Sequence, residues 1–137
     1  METTAIKEDF GILIDYCCTT AEELLLVHNA FHPFGVFFDV NDKMTPVSFY
    51  DNREQLVDQQ LIDAAVRKFE NTMAERKTRA YAVAFDAVIS NEDFPDPTSA
   101  IAIKIIHSGM DDKYVYYYPY KLQDKQVEFY KSWGERL

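Results

Sequence analysis

Ser99–Leu122 reads SAIAIKIIHSGMDDKYVYYYPYKL. Ile101, Ile103 and Ile105 alternate with smaller or polar residues. After an acidic, Gly-containing link, Tyr114, Tyr116 and Tyr118 alternate in the same way. Period-2 alternation of β-branched and aromatic residues on either side of a turn predicts an antiparallel hairpin.

Upstream, Ala80, Ala82 and Ala84 alternate with Tyr81, Val83 and Phe85 in a strand running to about Ser90. Small residues on one face and large ones on the other suggest a helix packed closely over the alanine side, with the reverse as the alternative. The Pro-punctuated, acidic segment NEDFPDPT, Asn91–Thr98, then forms a loop. Downstream of the hairpin, Val127 and Phe129 mark a last strand, with Trp133 beyond it.

Working back to the N-terminus, Ile6, Phe10, Leu13, Cys17, Leu24 and His28, with Ala21, keep the phase of one amphipathic helix over residues 4–29. Thr19 with Glu22, or Thr20 with Glu23, resembles a capping box that would begin a second helix. The stripe stays in phase across those threonines, which favours a single helix. Residues 1–29 carry six acids against one lysine, and Glu8, Asp15 and Glu22, seven apart, share a face. Pro33 and Gly35 in FHPFG end the helix. GVFFDV (35–40) and MTPVSFY (44–50) then read as a hairpin, with Pro46 requiring either that the second strand lie at a sheet edge or that it bulge there. Asp51 and Asn52 signal the start of a second helix reaching about Lys77, with Val57, Leu61, Ala64, Ala65, Phe69 and Met73 inward.

The expected architecture is a single α+β domain over residues 1–137 in the order αββαββββ. It is a two-layer sandwich of a predominantly antiparallel, five- to six-stranded sheet with both helices on one face. The chain's 137 residues, 47% of them hydrophobic, suffice for one core. There is neither a membrane-length apolar run nor a signal-peptide pattern, so a soluble, cytoplasmic protein is expected. The adjacent Cys17 and Cys18 diverge around a helix and read as small buried hydrophobes. A net charge of -9 argues against nucleic acid or an anionic membrane and suits a basic protein partner.

No nucleotide-binding, hydrolase or metalloprotease motif is present. His28 and His32 have zinc-ligand spacing, but Pro33 turns His32 out of the helix and no third ligand is evident, so no metal or cofactor is expected. His107 could act as a general base only if Asp86 or Asp111 were folded against it. Asp111 and Asp112 read as turn residues. The tyrosine strand places rings on both faces, leaving Tyr117 and its neighbours on the side away from the core.

Phe31, His32, Pro33, Phe34 and Gly35, with Asp39, Phe85–Asp86, Ala100–Ile101, His107, Gly109 and Pro119–Tyr120, resemble a family of small uncharacterised bacterial proteins. The likeness spans roughly residues 10–130 and departs from the family pattern at His32 and Ser108. It implies the α+β architecture and a bacterial origin, and brings no established activity.

The leading functional expectation is therefore a noncatalytic protein-binding module, comparable to toxin-neutralising immunity proteins. Its candidate binding residues are Glu8, Asp15, Glu22, Tyr116, Tyr117, His107 and Asp86. The alternative is a ligand-binding or enzymatic domain with a helix–sheet pocket near His107, Tyr117 and Asp86. A third reading is a homodimer built through an exposed sheet face.

Overall fold

The structure, a computed structural model, describes residues 3–48 and 58–137. The element order is α1 (Thr3–His28), β1 (Phe34–Asp39), β2 (Met44–Ser48), α2 (Asp58–Ala74), β3 (Thr78–Ile89), β4 (Thr98–His107), β5 (Tyr114–Gln123), β6 (Gln126–Phe129) and β7 (Trp133–Arg136). All strand pairs are antiparallel, in the order β2-β1-β3-β4-β5-β6, with β7 also paired to β5. The fold is thus α+β with seven strands rather than five or six. The additional strand is Trp133–Arg136, which lies beside the first half of β5 while β6 takes the second half.

The β4–β5 hairpin has the register its sequence demands. Ile101, Ile103 and Ile105 face Tyr118, Tyr116 and Tyr114, so isoleucines and tyrosines share one surface. That surface continues through Ala80, Ala82 and Ala84 of β3 and Val36 of β1, and α1 lies across it. The alanines leave room for the close approach, and Leu13, Cys17, Ala21 and Leu25 of α1 are fully buried there. A fully buried leucine contributes about 2 kcal/mol of transfer free energy. Helix α1 is continuous through Thr19 and Thr20 and ends at Asn29, which adopts φ 63° and donates its N–H to the Leu25 carbonyl at 2.8 Å. His28, expected on the inward stripe, is exposed.

Helix α2 departs from the expected arrangement: it packs on the opposite face of the sheet from α1. Ile62, Ala65 and Phe69 cover Tyr81, Val83 and Ile106. The reason lies in β3, whose two faces are both apolar. One helix can cover only one of them, and α2 takes the other, with Phe69 packed on Tyr81 of β3 and Phe37 of β1. The α1–sheet pair is the two-layer sandwich, with α2 covering the β1–β3 end of its back. Asp51, Asn52 and Val57, expected at the start of this helix, lie outside the described residues.

The tips are built from left-handed residues. Asp42 (φ 67°) closes the β1–β2 hairpin, where the Asp39 carboxylate accepts the N–H groups of Asn41 and Lys43. Asp124 and Lys125, at φ 52° and 63°, form the two-residue turn between β5 and β6. Pro46 sits on β2, the edge strand, where its missing N–H interrupts no ladder.

Candidate functional site

The outer side of α1 is where the acidic residues gather. Glu8 and Asp15 are exposed and Glu22 is half-buried, all on the side turned away from the sheet. At 1.5 Å rise per residue they span about 21 Å. Between them Ile12 is 48% exposed and Leu26, one turn beyond Glu22, is 41% exposed. Exposed branched apolar side chains set among carboxylates on a helix face form an amphipathic stripe with no partner among the described residues.

Inside this helix sits a polar network absent from the sequence reading. Asp9, 9% exposed, accepts two hydrogen bonds from Arg79, Nε to Oδ2 at 2.9 Å and Nη2 to Oδ1 at 3.0 Å. Its Oδ2 also lies 2.7 Å from Nε2 of His107, which is 2% exposed. Arg79 reaches this side through a β-bulge. Phe38 pairs with Ala80 and Asp39 with Thr78, leaving Arg79 as the extra residue. Thr78 then points to Thr72 on α2 while Arg79 points to α1. Its guanidinium lies 4.7 Å from the Phe38 ring centroid and also bonds exposed Asp42. Burial works against the Arg79 charge, but hydrogen bonds and charges from Asp9 and Asp42 outweigh it and raise its pKa above the ordinary value.

The His107 ring is fully committed. The Gly109 N–H donates to Nδ1 at 2.9 Å, which assigns the ring proton to Nε2, where it is donated to Asp9. Neither nitrogen is left to accept a proton from a substrate. Its acidic partner is Asp9 of α1, not Asp86 or Asp111. Asp86 faces Ile101, six residues along β3 from the position facing His107, a distance of about 20 Å. There Asp86 accepts the Tyr120 hydroxyl at 2.9 Å. Burial, then the Asp86 hydrogen bond and charge, raise the Tyr120 pKa.

Tyr116 and Tyr117 point to opposite faces, as neighbours on a strand must. Tyr116 belongs to the α1 side, stacked 6.3 Å from Tyr114. Tyr117 lies on the other side, its ring 5.2 Å from that of Trp133. The structure does not bring His107, Tyr117 and Asp86 together. Glu8, Asp15 and Glu22, the candidate residues on α1, do share one surface.

Burial, followed by the charges of Asp15 and Glu22, pushes the Cys18 thiol up to about 11, and burial pushes Cys17 further still. Both thiols are therefore held in the unreactive form at neutral pH. Among the described residues no cluster of three or more His, Cys, Asp or Glu side chains is placed to hold a metal ion. No helix among them is long and apolar enough to cross a membrane.

Two of the clefts lined by described residues are large enough for a small ligand. One, of about 510 Å³, lies between the Phe94–Ser99 segment and Tyr120, Leu122 and Tyr130. The other, of about 460 Å³, opens between α2 and the β1–β2 hairpin.

No protein-family model, curated protein or solved structure matches this chain significantly. Function is therefore argued from the chemistry of these surfaces.

Proposed function

We propose that the protein is a noncatalytic binding module that takes a basic protein partner on the outer face of α1, in the manner of an immunity protein neutralising a toxin. The observation that carries this reading is the stripe of Glu8, Ile12, Asp15, Glu22 and Leu26 on a helix anchored from behind by Leu13, Cys17 and Leu25. Carboxylates on such a surface steer a cationic partner and fix its register, while Ile12 and Leu26 supply apolar anchors. The anchoring matters because a preorganised helix loses little conformational entropy on association. The Asp9–Arg79–His107 network supports the same reading, since it ties the base of α1 to the sheet and leaves His107 no free nitrogen for catalysis.

The test is to mix the purified chain with the product of its neighbouring gene and measure binding by calorimetry. A micromolar or tighter complex is expected, weakened by added salt and by Glu8→Lys, Asp15→Lys and Glu22→Lys combined. Absence of a complex, or a complex indifferent to that charge reversal, overturns the proposal.

A further inference from the structure

The cleft between α2 and the β1–β2 hairpin has a different character from the acidic helix on the opposite face. Its floor is apolar: Phe37 and Phe69 have ring centroids 5.7 Å apart, and Val47 closes the side toward β2. Its rim is cationic, with Lys68, Arg76 and Lys77 all lining the opening. In a chain of net charge -9, three cations around one apolar cleft run against the overall balance. Lys68 and Arg76 have no ion-pair partner among the described residues, and Lys77 has only Glu75, 3.8 Å away at an exposed position. Of the other polar side chains lining the cleft, Asn41 is exposed and three are engaged within the fold. Thr78 donates to Thr72, Thr72 donates to the Phe69 carbonyl, and Asp39 accepts two backbone N–H groups.

Arg76 is held at this rim at a cost. It occupies the left-handed position just past the end of α2, with φ 61°. The turn is a Schellman motif, in which Lys77 N–H bonds the Thr72 carbonyl at 2.9 Å and Arg76 N–H bonds the Met73 carbonyl at 3.0 Å. Glycine is the residue that adopts this conformation without strain. An arginine there sits on a costly backbone conformation, beside an apolar cleft and with no ion-pair partner among the described residues.

From this arrangement we infer a binding site for a small amphiphilic carboxylate, an organic acid whose apolar body lies on Phe37, Val47 and Phe69 and whose carboxylate meets Arg76 and Lys68. The volume, about 460 Å³, is within the range of small-ligand pockets. Arginine and lysine at the mouth neutralise the carboxylate, and the apolar floor contributes the greater part of the affinity. The site is on the opposite sheet face from the acidic stripe, so it stands independently of the protein-binding proposal.

Calorimetric titration with octanoate tests it, with acetate as the counterpart without a body and octanol as the counterpart without a charge. Octanoate should bind saturably at one site, and acetate and octanol at least about tenfold more weakly. Arg76→Gly is the decisive variant, because it removes the cation while relieving the backbone. It should weaken octanoate binding by about tenfold in a protein at least as stable as the parent, so the loss cannot come from misfolding. Lys68→Gln should weaken it in the same direction. Absence of saturable octanoate binding, equal binding of octanol, or undiminished binding by Arg76→Gly each overturns the inference.

Discussion

Asp9 on the first helix and His107 at the end of β4, 98 residues apart, share a 2.7 Å contact between Oδ2 and Nε2 that Arg79 reinforces from the other side. This junction fixes how α1 sits on the sheet. The carboxylate is the hub: it receives three hydrogen bonds, and removing it leaves a buried imidazole N–H without its acceptor and a half-buried guanidinium with exposed Asp42 alone.

Asp9→Ala should therefore lower stability by about 3 kcal/mol in urea denaturation. Asp42→Ala removes a carboxylate that bonds the same arginine but is 84% exposed. That loss should be no more than about 1 kcal/mol. Equal effects of the two substitutions would show that the junction is not the anchor of α1.

The strained end of α2 gives a prediction of opposite sign. Arg76→Gly should raise stability by about 1 kcal/mol, since a left-handed conformation is costly for a side chain with a Cβ. The increase should appear as a higher urea midpoint with an unchanged slope. A decrease would mean that the arginine stabilises the fold by a contact outside this turn.

What the sequence made legible was periodicity; what it hid was the third dimension. The isoleucine and tyrosine runs fix their own register because the link from Ser108 to Lys113 is short and both strands keep period 2. The alanine face of β3 correctly marks where a helix comes close, and the outward acids of α1 follow from spacing alone. The side taken by α2 was not legible, because Tyr81, Val83 and Phe85 make the second face of β3 apolar as well, and a local pattern does not say which helix covers which face. Arg79 was hidden by a one-residue bulge that turns it toward α1 against the strand's alternation. Asp9 read as one more acid on a charged helix, and only the tertiary fold sets it beside His107. The short β7, with Gly134 opposite Tyr116, carries too little alternation to stand out.

The alanine face is itself testable. Ala82 is fully buried beneath α1, whereas Ala64 is exposed on α2. Ala82→Leu should cost about 2 kcal/mol or more by forcing the helix away from the sheet. Ala64→Leu should change stability by no more than about 0.5 kcal/mol. Thermal denaturation of the pair checks this, and a tolerated leucine at position 82 would mean that α1 is not seated on that surface.

Alkaline pH should probe the far end of the sheet, where Tyr120 donates to Asp86. Burial, then the Asp86 hydrogen bond and charge, raise this phenol above its ordinary value of 10.0. Burial, with Cys18, Tyr116 and Cys17 adding to it, pushes Tyr118 up to about 12. For a group whose folded pKa exceeds its unfolded one, the stabilisation is fully present below the unfolded value and is lost as pH rises through the folded one. Stability should therefore be insensitive to these phenols up to about pH 10 and decline above it. Tyr120→Phe removes one of the ionising groups together with a hydrogen bond. It should lower stability by about 1 kcal/mol at neutral pH and make the alkaline decline shallower. Urea midpoints measured across that range, alongside the tyrosinate absorbance, decide the matter. A Tyr120→Phe variant with the same alkaline slope as the parent would show that this phenol ionises as freely in the folded chain as in the unfolded one.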